Sequence, residues 1–181
     1  MQAFMGRMFF GASLKMRAYS HMLLGTATWL LYVRLEHATP GALATCAAVA
    51  GSLLPDIDHP QSFVGRRFRL ISRPLSRIIG HRGLTHSLLA LAGGFWLLLK
   101  SAHLNVHVAQ ALALGYLSHL AGDWLTAAGI PLLWPWRKRF VSPVSFTCGG
   151  RAEILLDIVL SAWLGWELVE TMDLARHGLL G

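Results

Sequence analysis

Five apolar stretches, each short for a membrane span and several carrying ionisable residues near one end, govern what this chain can fold into. They run over about 20–35, 41–54, 85–99, 106–120 and 154–169. Each has some 14–17 residues, at or below the ~17–25 that a perpendicular transmembrane helix needs. Each is therefore readable as a short spanning helix or as a buried core helix. In or beside them lie His21, His86, His119, Asp123 and Asp157, groups that lipid-facing helices rarely carry. The expected fold is all-α: a polytopic membrane bundle of about five short helices, with a polar site at one end.

Composition sets the same bounds. Hydrophobic residues make up 54% and charged residues 14%, against roughly 45–50% and about 25% in an average soluble domain. A disordered chain is excluded, and an ordinary soluble globule would lack polar residues for its surface. The 181 residues fit one domain. That domain is expected over 16–181. Residues 1–15 are an extension without the long apolar core and cleavage site of a secretory signal, and Met16 is an alternative start. Cys46 and Cys148 stand far apart, outside any Cys-x-x-Cys pair, so no zinc knuckle or disulfide framework is indicated.

Sixteen Lys and Arg oppose nine Asp and Glu, a net charge of +7. Such a balance admits nucleic acid, anionic lipid or a phosphorylated substrate. The positions of the bases choose between them. Thirteen of the 16 fall in the N-terminal tail, in 55–84 and in 125–153. With five alternating spans these segments share one side, which the positive-inside rule makes cytoplasmic. The basic charge then needs no nucleic acid, and membrane lipid is the expected partner.

The polar residues gather at helix ends. His21 opens the first stretch, and Pro55-Asp56-Ile57-Asp58-His59 closes the second. His81-Arg82-Gly83-Leu84-Thr85-His86-Ser87 opens the third, Ser118-His119 with Asp123 closes the fourth, and Glu153 opens the fifth. Alternating helices bring all five groups to one end, the basic one. His119 and Asp123 are four apart and leave one helical face a turn apart; Asp56 and His59 are three apart. Imidazole with carboxylate is a ligand set for zinc, with manganese or iron as alternatives. The candidate metal ligands are His21, Asp56, Asp58, His59, His81, His86, His119, Asp123 and Glu153. They outnumber what one tetrahedral ion needs, so two ions sharing a bridging Asp are expected. Asp56 or Asp58 is the candidate general base, and Arg82 the candidate clamp on a phosphate oxygen. Structural readings stand beside these: turn chemistry for Asp56, Asp58 and His59, a helix cap at Thr85, a surface anchor for Arg82, and a dipole contact for Glu153.

The run from Leu53-Leu54-Pro55-Asp56-Ile57-Asp58-His59-Pro60 to Gly80-His81-Arg82-Gly83-Leu84-Thr85-His86-Ser87, with Gly115-Tyr116-Leu117-Ser118-His119 and Pro131-Leu132-Leu133-Trp134-Pro135, resembles the YdjM-type family. The resemblance covers about 16–153. It implies a bacterial inner-membrane protein with metal-dependent hydrolase activity. A looser likeness to the zinc phospholipase C and P1 nuclease group rests on His119-x-x-x-Asp123 with His21 and an upstream Asp. That likeness implies phosphodiester hydrolysis and a phosphate-containing or lipid-linked substrate. The second His-x-x-x-Glu pair of that group is missing, because position 149 is Gly. A non-catalytic metal-binding membrane protein, a divalent-ion transporter or sensor, is the alternative.

Overall fold

The computed structural model describes residues 16–79, 83–100, 105–136 and 138–176. The regular elements among them are helices: α1 (Ala18–Leu35), α2 (Ala42–Leu53), α3 (Phe63–Arg67), α4 (Arg69–Ile79), α5 (Leu88–Lys100), α6 (Val106–Trp124) and α7 (Arg151–Arg176). Short 3₁₀ segments cover Leu54–Asp58 and Leu84–His86. The five apolar stretches are α1, α2, α5, α6 and α7. The segment after Pro55, expected as a connection, folds into α3 and α4.

Local chemistry sets the boundaries. α2 gives way to 3₁₀ geometry at Pro55, which sits where a helix start needs no N–H. Ser62 caps α3 by accepting from the Gly65 amide at 2.9 Å. The cap of α5 is Ser87, which accepts from the Ala90 amide at 3.2 Å, so Thr85 is free for other work. Asn105 accepts from the His107 amide at 2.8 Å to open α6. Gly149, at φ +74°, turns the chain into α7.

The centre of the fold is the seam between α2 and α6. It is made by small residues rather than by large apolar ones. A Cβ added at Gly51 would lie 2.1 Å from the Leu112 carbonyl oxygen, and one at Gly115 would lie 2.0 Å from that of Ala48. The two backbones touch, as in small-residue helix packing within membranes. α1 lies across both helices. Trp29 and Val33 of α1 pack on Ala44, Ala48 and Ala111 in the apolar core. α7 leans on α1, held at one end by Glu153 under Ser20 and at the other by Arg34 with Glu167 and Glu170. α5 contacts α6 but buries none of its described side chains.

Among the described residues no helix is both long and apolar enough to cross a membrane. The reason is partly length. The 12 residues of α2 reach about 18 Å at 1.5 Å per residue, against a hydrocarbon core of about 30 Å. α7 has 26 residues but carries Glu153, Asp157, Glu167, Glu170 and Asp173 along its length. The fold is all-helical as expected, and the multi-pass topology finds no support in these helices.

Candidate metal centre

The α2–α6 seam builds the site. By bringing the two backbones together it sets the Ser52 carbonyl 2.7 Å from His119 Nδ1. A carbonyl only accepts, so Nδ1 carries the proton and Nε2 presents a lone pair. His119 Nε2 is buried and makes no hydrogen bond among the described residues. Burial pushes this imidazole below its ordinary range, overriding the opposing pull of the Asp123 and Asp56 carboxylates. A neutral His119 with its tautomer already chosen is in the form that a metal ligand needs.

Around it stand three more buried groups. His21, on the first turns of α1, stacks on the His119 ring with centroids 3.8 Å apart and planes 15° from parallel. His86 meets the same ring edge-on at 5.3 Å. Asp123, one turn beyond His119, sits among the three imidazoles. Its Oδ1 is 3.7 Å from His21 Nε2. Its Oδ2 is 3.6 Å from His86 Nε2 and 3.8 Å from His119 Nε2. Asp56 closes the cluster, with Oδ1 3.9 Å from His86 Nε2. Asp56 is the accessible member, its side chain 18% exposed where that of His86 is 0%.

These spacings are informative. All exceed the 2.7–3.2 Å of a hydrogen bond. Two atoms bound to one tetrahedral zinc at ~2.1 Å stand about 3.4 Å apart. A slight contraction around an ion therefore serves all four contacts. Two ligand groups emerge, His21 with His119 and Asp123, and Asp56 with His86 and His119, each with its ligand atoms within 4.8 Å of one another. They share His119, whose single available nitrogen can serve one ion.

His86 is held from behind. Its Nδ1 lies 3.5 Å from Asp58 Oδ2 and 3.1 Å from the Thr85 hydroxyl, and that hydroxyl donates to the same Asp58 carboxylate. Tyr116 in turn donates to the Thr85 carbonyl; burial, then the Asp58 charge, raises its phenol. Asp58 is wholly buried and faces the ring nitrogen opposite the cluster. A carboxylate so placed orients a ligating imidazole and raises its basicity.

A family model described as "YdjM inner membrane protein" matches residues 16–174. The chain belongs to the YdjM family. The inner membrane protein YdjM of Escherichia coli (strain K12) is 44% identical over 164 residues, covering 80% of this chain and 81% of the relative. The protein of the same name in Shigella flexneri matches equally. An uncharacterized protein, YvsG, of Bacillus subtilis (strain 168) is 34% identical over 142 residues, or 78% of this chain and 87% of its own. No solved structure matches. Membership supports an inner-membrane location, whereas the likeness to zinc phospholipase C and P1 nuclease finds no support in these matches.

In this YdjM-family chain, His21, Asp56, His86, His119 and Asp123 come together as the sequence led one to expect. Asp58 stands behind His86. His59 ends the first 3₁₀ segment, its amide on the Asp56 carbonyl, and belongs to neither ligand group. Glu153 is buried and accepts from the Arg17 amide at 2.8 Å, from Ser20 at 2.9 Å and from the Gly149 amide. It ties α7 to α1 and lies outside both groups. His81, Arg82 and the extension 1–15 lie outside the described residues. The supports that the sequence reading missed are the Ser52 carbonyl, Thr85 and Tyr116. A main-chain oxygen leaves no sequence signal. Thr85 and Tyr116 stand within the motifs that carry the family resemblance.

Proposed function

We propose that the chain is a membrane-associated, metal-dependent hydrolase acting on a phosphate-containing or lipid-linked substrate. The observation that carries this reading is the convergence of three buried imidazoles on Asp123 at 3.6–3.8 Å. Nitrogen and carboxylate donors so close together, buried and drawn from α1, α6 and the turn before α5, are the donor set and spacing that a divalent cation takes.

His86, His119, Asp56 and the Oδ2 of Asp123 would hold the principal ion. Asp123 with His21 would offer an adjoining position for a second ion. Zinc suits this nitrogen and oxygen set, with manganese or iron as alternatives. A divalent ion held there supplies Lewis acidity toward water and toward a phosphoryl or carbonyl oxygen. The chain's residues do the rest. Ser52 would fix the tautomer of His119, and Thr85, itself held by Asp58, that of His86, so that no reorganisation is needed at the moment of reaction. Asp56 stands at the exposed edge, where substrate and water arrive, and is placed to take a proton. Arg82, two residues beyond Gly80 and four before His86 in sequence, supplies a guanidinium suited to a phosphate oxygen. The concentration of Arg in 55–84 and 125–153 supports a cytoplasmic position for the site.

The test is metal analysis of the purified full chain beside His119→Ala and Asp123→Asn, followed by turnover assays on phosphodiester, phosphomonoester, ester and amide panels. The expected result is near-stoichiometric zinc, manganese or iron in the parent, little in either variant, and phosphodiester cleavage that follows the metal. Equal, near-zero metal in all three proteins would overturn the metal reading. Retained metal with no turnover on any panel would leave a non-catalytic metal-binding protein, a sensor or transporter, in its place.

A further inference from the structure

Helix α4 exposes apolar side chains as well as charged ones. Its sequence is Arg69-Leu70-Ile71-Ser72-Arg73-Pro74-Leu75-Ser76-Arg77-Ile78-Ile79. At 100° per residue, Arg69, Arg73 and Arg77 form one narrow stripe, with Ser72 and Ser76 beside it. Ile71, Leu75 and Ile78 cover the opposite side, and Leu70 flanks the stripe. A soluble amphipathic helix buries the apolar side and exposes the polar one. Here the buried residue is Ser72, seated against Gly65 of α3, where an added Cβ would come 2.9 Å from its hydroxyl. Leu70 is 93% exposed and Ile78 83%. Phe63 and Phe68 next to them are exposed as well.

The charge around this apolar face has one sign. Arg66, Arg67, Arg69, Arg73 and Arg77 are all exposed. Between Asp58 and Asp123 the chain contains no Asp or Glu at all. The partner that covers Leu70 and Ile78 must therefore be apolar at depth and anionic at its surface. A protein groove with both properties is a special object, whereas an anionic bilayer has both everywhere. Arg side chains can run their methylenes along the apolar layer while the guanidinium stays at the phosphates. α4 also packs on the 3₁₀ segment that carries Asp56 and Asp58.

We infer that α4, with Phe63 of α3 and Phe68 between the two helices, is an interfacial anchor that lies in the surface of an anionic lipid bilayer and sets the Asp56 edge of the site at headgroup level. The inference rests on the shape and charge of α4 and stands whether or not the site proves to be catalytic.

The test uses the full chain reconstituted in vesicles of phosphatidylcholine alone or with phosphatidylglycerol. In a Cys46→Ser background, Ile78→Cys and, separately, Arg73→Cys carry an environment-sensitive fluorophore; the protein with no added cysteine is the blank, since Cys148 is buried. In phosphatidylglycerol vesicles the label at 78 should be shielded from aqueous iodide and quenched by lipids bearing a shallow spin label, and the label at 73 should remain open to iodide. Arg69→Gln, Arg73→Gln and Arg77→Gln combined with Ile78→Cys should weaken the shielding on the order of tenfold or more, with helix content unchanged. Three results overturn the inference. One is equal iodide access at 78 and 73. Another is shielding that ignores both lipid charge and the three Arg. The third is shielding from iodide without quenching by the spin-labelled lipid, which would mean that protein covers the face.

Discussion

Two regions of this molecule break the usual rule of burial in opposite senses. At the metal centre, ionisable side chains are wholly buried: His86, His119 and Asp58 are 0% exposed and Asp123 1%. On α4, some 11 residues of chain away from Asp58 in sequence, leucine and isoleucine stand in the open. The first gathers three imidazoles and two carboxylates in one space, which the proposed cation would let them share. The second turns apolar side chains outward among arginines, which the proposed lipid surface would cover. The two are neighbours in the fold, since the segment Leu54–Asp58, which carries Asp56 and Asp58, also contacts α4.

The sharpest way to break the comparison is to remove the frame that one region depends on and the other does not. Gly115→Val should push its side chain into the Ala48 carbonyl, which a Cβ alone would approach to 2.0 Å. Overpacking normally costs ~1–3 kcal/mol; a clash with main chain should exceed that and cost the folded protein. Thermal unfolding followed by circular dichroism in detergent checks it. A variant within about 1 kcal/mol of the parent would mean that α2 and α6 can part without harm, and the seam would lose its place in the argument.

Next in size is Asp123, the proposed ligand at the centre. Asp123→Asn keeps the shape and removes the charge facing all three imidazoles. Supporting partners behind metal ligands are worth about 10–100-fold in affinity, so a ligand itself should be worth more than about 100-fold. Competition with a chelator, read by bound metal per chain, measures it. Asp58→Asn, which acts through His86, should fall in the lower band of about 10–100-fold. Asp58→Asn losing as much as Asp123→Asn would make Asp58 a direct ligand.

A pH titration separates the regions again. His119 has its folded-state pKa depressed by burial, below the ~6.5 of an unfolded chain. The unfolded state therefore binds the proton first as pH falls. The metal-free protein should keep its stability above about pH 6.5 and lose it progressively below, through the lower folded value. His119→Gln should flatten that loss. Arg-dependent contacts of α4 should show no response across the same window, since guanidinium stays charged throughout.

How much of this could be read in the chain beforehand differs between the two regions. That His21, Asp56, His86, His119 and Asp123 come together is legible because His and Asp in apolar sequence are expensive and therefore conspicuous, and because alternating helices carry their ends to a common side. His59 and Glu153 looked equally eligible by that logic. They were resolved only by geometry: His59 ends a 3₁₀ segment, and Glu153 is engaged by two main-chain amides and Ser20. The division of labour between Asp56 and Asp58 was illegible for a similar reason. Which of two carboxylates in a Pro55-led turn faces outward depends on 3₁₀ geometry that a spacing of two residues does not set. The sequence reads α4 as part of a connection because it lies between two apolar stretches and is rich in Arg. Its amphipathic period was visible, but a period cannot say which side is buried.

The smallest expected effect tests that last point. Leu70→Ser and Ile78→Ser should leave the unfolding temperature in detergent almost unchanged, within about 0.5 kcal/mol of the parent, as surface substitutions do. Elsewhere a leucine-to-serine change in a helix facing a core would cost several times more. Leu70→Ser combined with Ile78→Cys should weaken the anionic-lipid shielding of the label at 78. A small number in one medium and a clear loss in the other would place the function of these side chains outside the protein's own fold. If Leu70→Ser instead destabilises the detergent-solubilised chain as a core residue does, then α4 packs on protein, and the contrast between the two regions reduces to the metal centre alone.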